Sequence, residues 1–148
     1  MRGAEFVPDD IVLNKVTAIE RCLARIRQEY QGHEAELTTN FTRQDSIILN
    51  LLRACEAAID VAMHLARVNC LGIPQDSRDA FSLLEQARLI SSELSQRLQA
   101  MVGFRNIAIH DYQKLNLAIV RSVLTEHLAD FEGYCRYLLG QSGADSGQ

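Results

Sequence analysis

An all-α, up-and-down bundle of four to five helices is the fold this sequence predicts, and three observations predict it. Apolar residues recur at three- and four-residue spacing along most of the chain. Proline and glycine are scarce, 2 and 8 among 148 residues, and four of the glycines stand at or beyond position 133. No strand alternation, hairpin turn or internal repeat interrupts the helical pattern. The length suits one domain that buries a core without staples. It is expected over residues 10–140, with flexible ends at 1–9 and 141–148.

The elements follow in order. Asp9 or Asp10, after Pro8, caps a first helix whose inner positions are Ile11 or Val12, Val16, Ile19, Leu23 and Ile26. It fades near Tyr30 to Gly32, and the polar stretch Gln31 to Asn40 reads as a loop. A second helix runs from about Arg43 to Asn69, roughly seven turns. Leu71-Gly72-Ile73-Pro74 ends it, with Gly72 as C-terminal cap and a proline that cannot continue. Asp76 or Ser77 caps a third helix through Leu89 or Ile90. Ser91 or Ser92 caps a fourth, with Leu94, Leu98, Met101 and Val102 inward. Asn116 caps a fifth through Leu139, with Leu117, Val120, Leu124, Leu128, Phe131, Cys135 and Leu138 as its stripe. Gly140 stops it. Met1 to Phe6, "MRGAEF", is irregular and has the look of a vector-derived leader, so it is kept out of the fold reasoning. Gln141 to Gln148 reads as a disordered end.

Composition narrows the function. Apolar residues are 47% and charged residues 23%, ordinary for a globular protein. A net charge of −4 argues against a bulk basic nucleic-acid binder, but leaves room for an RNA enzyme with a local basic cleft. Cys22, Cys55, Cys70 and Cys135 form no CxxC pair. They read as small buried thiols in a reducing cytosol rather than zinc ligands. No metal and no cofactor is expected. No run approaches the roughly 20 apolar residues of a membrane span, and no secretory h-region opens the chain. A cytoplasmic protein without a membrane partner is the expectation.

One segment stands apart. "RNIAIHDY", Arg105 to Tyr112, gathers an arginine, an asparagine, a histidine and a tyrosine near the end of the fourth helix. Residues five apart on an ideal helix diverge by about 140°. Arg105 and His110 can therefore act together within one chain only if the helix ends or distorts between them. The chemistry suits RNA cleavage without a metal. Histidine takes and gives a proton near neutral pH. Arginine offers a charged planar fork to phosphate oxygens. The Asn106 amide can orient a phosphate or ribose hydroxyl. The expected reaction is attack of a ribose 2′-OH on the adjacent phosphate. The plain alternative is a surface ion pair for Arg105, a dipole-favoured helix terminus for His110 and a core-edge tyrosine.

The segment resembles the motif of HEPN-domain ribonucleases, an arginine, a polar residue, three more residues and a histidine. The tyrosine two places on gives R-x4-H-x-Y, which resembles the HepT branch. "DSIILNLLRACEAAIDVAMHL", "LGIPQDSRDAFSLL" and "MVGFRNIAIHDYQKLNLAIV" resemble HepT blocks in the expected order. The resemblance covers most of the chain between about Asp10 and Leu139. It implies a toxin of a toxin–antitoxin system that acts as a metal-independent endoribonuclease. Its partners would be RNA, a second copy of itself, and a minimal MNT-type nucleotidyltransferase antitoxin that places AMP from ATP on the motif tyrosine. Carried over by position, Arg105 and His110 are catalytic, Asn106 is the polar auxiliary and Tyr112 is the modified residue. A different class remains open: a non-catalytic nucleotide- or partner-binding subunit of a nucleotidyltransferase.

A second polar stripe lies on the second helix. Arg53, Glu56, Asp60, His64 and Arg67 project within about 80° of one another. They read either as a solvated face, with local pairs such as Arg53 with Glu56, or as a wall of the RNA cleft or dimer seam. Asp60, one turn before His64, is placed to hold that imidazole charged. His33 and His127 read as loop and helix-surface residues.

Overall fold

The computed structural model describes residues 8–140, so the irregular leader and the glycine-rich tail lie outside them. Six α-helices are described, and no strand occurs among the described residues. α1 spans Asp10–Tyr30, and Asp9 caps it by accepting from the Val12 N–H at 2.9 Å. The connecting loop holds a single 3-10 turn, Glu34–Leu37, which buries Leu37. α2 spans Phe41–Val68. It starts two residues before the expected Arg43 because Asn40 accepts from the Arg43 N–H at 3.0 Å.

Two helix ends differ from expectation for the same reason. α2 is closed by Cys70 rather than Gly72: Cys70 takes φ 55°, its N–H bonds the Arg67 carbonyl at 3.2 Å, and the Leu71 N–H bonds the Ala66 carbonyl at 2.9 Å. α3, Ser77–Gln86, stops before Leu89 and Ile90 through the same pair of bonds. Arg88 has φ 62°, its N–H bonds the Glu85 carbonyl, and the Leu89 N–H bonds the Leu84 carbonyl, each at 2.9 Å. Both are Schellman closures with an ordinary L-residue in the left-handed position. Leu89 and Ile90 are then free to bury themselves as the chain turns. The same geometry exposes Cys70, correcting the expectation of a buried thiol there, whereas Cys22, Cys55 and Cys135 are buried.

α4 spans Ser92–His110, with the Ser91 hydroxyl accepting from the Leu94 N–H at 3.0 Å. The expected fifth helix is present in three parts: α5 (Leu117–Ser122), a π turn (Val123–His127) and α6 (Leu128–Leu138). Asn116 caps it, accepting from the Ala118 N–H at 2.7 Å. Val120, Leu124, Leu128, Phe131, Cys135 and Leu138 of the expected stripe are buried along it, whereas Leu117, in the first turn, is half-buried.

The core lies around α2. Val12, Val16, Ile19, Leu23 and Ile26 of α1 share a single cluster with Ile47, Leu51, Ala54, Ala58 and Val61 of α2. From the far side, the Tyr134 hydroxyl of α6 donates to the Ala58 carbonyl at 3.1 Å, and its ring stands edge-on to Phe81 of α3 at 5.9 Å. α2 is thereby held rigidly along its middle, next to the residues that meet the end of α4.

Candidate active site

The segment Arg105 to Tyr112 begins in helix and ends in a turn. α4 runs unbroken through Arg105 and His110, so the helix neither ends nor distorts between them. The reason is local. The intervening residues include no glycine or proline, and Ala108 is buried against the bundle. The break comes one residue later, at Asp111 (φ −152°, ψ 66°), whose N–H still closes on the Ile107 carbonyl at 2.8 Å. Tyr112 then opens a 3-10 turn, Tyr112–Lys114. The single chain therefore does not fold Arg105 and His110 onto one face. Arg105 is half-buried, while His110 is exposed in the last turn of α4.

The Arg105 guanidinium is held on two sides. Its Nε donates to Glu56 Oε2 at 2.7 Å and its Nη2 donates to the same oxygen. Its Nη1 donates to Asn106 Oδ1 at 2.9 Å. Three of the five N–H groups are thus directed by carboxylate and amide, which leaves two for another anion. Asn106 serves here as an acceptor that orients the arginine rather than as a donor.

Tyr112 is held by a residue that sequence reasoning missed. Its hydroxyl donates to Asp45 Oδ1 at 2.8 Å. Partial burial, then the Asp45 hydrogen bond and charge, push the phenol up to about 12. Asp45 and Glu56 are 11 residues apart on α2, three helical turns, so they project within about 20° of each other. That register was the available signal. One face of α2 thus grips the end of α4 at two points, and the pairings run in opposite order, Glu56 to Arg105 and Asp45 to Tyr112. The two segments are antiparallel there.

The rest of the α2 stripe divides. Arg53 and Glu56 line an open groove of about 1110 Å³ between α1 and α2, with Lys15, Arg21, Arg25 and Asp60. Glu56 pairs with Arg105, not with Arg53. Asp60 pairs with Lys15 at 2.9 Å and does not hold His64. His64 instead turns inward, buried, with Nε2 at 2.6 Å from Asp9 and Nδ1 at 3.3 Å from Arg67. One Asp9 oxygen, Oδ1, caps α1, and the other, Oδ2, meets the imidazole. The Asp9 carboxyl is held below its ordinary value, first by this hydrogen bond and then by the Val12 N–H. Asp9, the last residue of the expected flexible end, is therefore tied down.

His33 sits in the loop beside Glu36 at 3.3 Å. His127 lies in the π turn, 3.0 Å from the buried Asp130, which Arg97 also meets at 3.2 Å. Among the described residues no cluster of three or more histidine, cysteine or acidic side chains could hold a metal ion. None of the described helices is long and apolar enough to cross a membrane.

Comparison with known proteins gives this arrangement a context. The family model for ribonuclease HepT-like proteins matches residues 19–138. The mRNA nuclease HepT of Shewanella oneidensis is 55% identical over 126 residues, 85% of this chain and 94% of that protein. Among solved structures, the tri-AMPylated Shewanella oneidensis HEPN toxin in complex with MNT antitoxin is similar at TM-score 0.84 and 53% identity, covering 88% of this chain and 97% of that one. A toxin–antitoxin structure with AMP-PNP is similar at TM-score 0.83 and 52% identity, covering 88% and 98%.

Proposed function

The chain belongs to the ribonuclease HepT-like family, and from that premise we propose a catalytic arrangement and a mode of silencing for it. It is an RNA-cleaving toxin of a toxin–antitoxin pair. Arg105 and His110 carry out the cleavage, Asn106 and Glu56 orient Arg105, and Tyr112 receives AMP from a cognate MNT-type nucleotidyltransferase.

The observation that carries this reading is the guanidinium of Arg105. A carboxylate and an amide fix it at a half-buried position with two N–H groups still to spend. Such a fork is preorganised for a phosphate. In the reaction, a ribose 2′-OH attacks its own 3′-phosphorus, the 2′-O–P bond forms and the P–O5′ bond breaks. One imidazole takes the 2′-OH proton, a second gives a proton to the departing 5′-oxygen, and Arg105 neutralises the crowded phosphate.

Because α4 is straight, a single chain turns Arg105 and His110 about 140° apart. A homodimer solves this: two copies face each other across one cleft, and the imidazole of one chain works beside the arginine of its mate. Pairing also concentrates positive charge in a chain whose net charge is −4. Arg53, beside Glu56 at the edge of the α1–α2 groove, adds to that wall.

AMP on Tyr112 adds at least one negative charge two residues from His110. It repels the RNA backbone, fills the cleft and competes for Arg105. The test is direct. Purified, AMP-free protein should cleave RNA in the presence of EDTA, and Arg105→Ala or His110→Ala should slow cleavage by orders of magnitude while leaving the helical fold. Co-expression with the nucleotidyltransferase should add AMP mass to Tyr112 and stop cleavage. Wild-type protein that leaves a broad RNA panel intact would refute the reading.

A further inference from the structure

We propose that Asp45 accepts the proton from Tyr112 when that tyrosine is adenylylated, so that this chain supplies the base for its own silencing. The proposal rests on Tyr112 being the modified residue, as argued above.

The contact is tertiary and specific. Tyr112 sits in a 3-10 turn and Asp45 in the second turn of α2, 67 residues away, yet the hydroxyl donates to Oδ1 at 2.8 Å. That is within the range over which a general base takes a proton directly. Both residues are exposed, so an incoming enzyme and nucleotide can reach them. Nor does Asp45 serve the cap of α2, which Asn40 supplies, or the Arg105 clamp, which Glu56 supplies.

The phenol needs such help. With its pKa pushed up to about 12, it stays protonated near neutral pH and is a poor nucleophile as it stands. Asp45 is itself part of the cause, since its charge disfavours the phenolate. The same carboxylate becomes useful once the hydroxyl oxygen begins to bond to phosphorus. At that point the phenol proton becomes strongly acidic and passes along the existing hydrogen bond. The step balances: Tyr112 Oη attacks the α-phosphorus of ATP, the Oη–P bond forms and the bond from Pα to the bridging oxygen breaks. Pyrophosphate leaves with the electron pair, and the proton moves to Asp45 and then to water. The hydrogen bond also fixes the rotation of the hydroxyl, so that its free lone pairs face away from Asp45.

Asp45→Asn decides the matter, because asparagine keeps the size and an acceptor oxygen but cannot hold the proton. The measurement is the initial rate of AMP transfer by the cognate nucleotidyltransferase with ATP and Mg²⁺. It is followed by intact mass as the concentration of this chain is varied. Asp45→Asn should lower kcat by about 100-fold, in the range of a lost general base, with KM within about twofold. Asp45→Glu should recover part of the rate, and Asp45→Asn should still cleave RNA. An unchanged kcat for Asp45→Asn, or a loss confined to KM, overturns the proposal. Tyr112→Phe separates the two layers. If it still gains AMP, the choice of Tyr112 is wrong and this step falls with it; if it gains none while Asp45→Asn reacts normally, only the role of Asp45 is wrong.

Discussion

His64 and His110 invite comparison. Each sits on a helix with an arginine nearby in sequence, Arg67 for one and Arg105 for the other. His64 had the more suggestive neighbourhood, with Asp60 and Arg67 on its own face of α2. Folded, it is a clasp: buried, bonded to Asp9 at 2.6 Å and to Arg67 at 3.3 Å, joining the C-terminal end of α2 to the cap of α1. His110 lies exposed at the end of α4, on a different face from Arg105, whose guanidinium is aimed but not used up. The lesson is that satisfied geometry marks structure, whereas open valence held on rigid helices marks a candidate for chemistry.

The contrast can be broken by exchanging the expected losses. Arg105→Ala and His110→Ala should each reduce RNA cleavage by about 10²- to 10⁴-fold, measured as single-turnover rates. The melting temperature of either variant should move little, because His110 is exposed and the Arg105–Glu56 pair is partly solvated, worth about 0.2–1 kcal/mol. If His110→Ala unfolds the chain and leaves cleavage intact, the two histidines have been assigned the wrong way round.

His64→Ala should do the opposite. It leaves a gap where the buried imidazole stood, costing about 1–3 kcal/mol in denaturant unfolding, while the exposed Asp9 and Arg67 groups pass to water. The cleavage rate of the folded fraction should be unchanged. A smaller effect is expected at Glu56. Glu56→Ala frees Arg105 to wander, which should slow cleavage about tenfold, or about 1.4 kcal/mol of transition-state stabilisation. An increase in rate would show that Glu56 restrains Arg105 rather than aims it.

The finest distinction is a pH effect on the clasp. The Asp9 carboxyl is held below its ordinary 3.8 in the folded chain. Its contribution is therefore fully present above that value and is lost as the pH falls through the lowered one. Wild type should melt above Asp9→Asn at neutral pH, and the gap should close in acid, below pH 3.8. A gap that persists undiminished there would mean that the Asp9 charge does not support the fold.

How much of this was legible beforehand depends on distance along the chain. Four helix starts were readable because Asp9, Asp76, Ser91 and Asn116 stand directly before the helices they cap, whereas Asn40 was read as loop and the start of α2 was placed two residues late. The apolar stripes of α1 and of the helix after Asn116 were readable because burial follows spacing. The ends of α2 and α3 were not, since nothing about Cys70 or Arg88 advertises a left-handed backbone. The π turn at Val123–His127 also left no mark on the pattern, because the stripe tolerates a shift of one residue there. At the site, the motif was visible as a string of residue types. Its partners were not, because Glu56 is 49 residues from Arg105 and Asp45 is 67 from Tyr112. The 11-residue spacing puts Asp45 and Glu56 on one face of α2, but which residues they meet is decided by how α2 and α4 lie against each other.

The length of α2 has a consequence of its own. Asp45 and His64 are 19 residues apart on that one helix, about 28 Å at 1.5 Å per residue. Asp45, the base proposed for Tyr112, and His64, which ties α2 to the start of α1, therefore occupy opposite ends of a single rod. A substitution at His64 should therefore change how much of the chain is folded without disturbing the Asp45–Tyr112 contact at the other end.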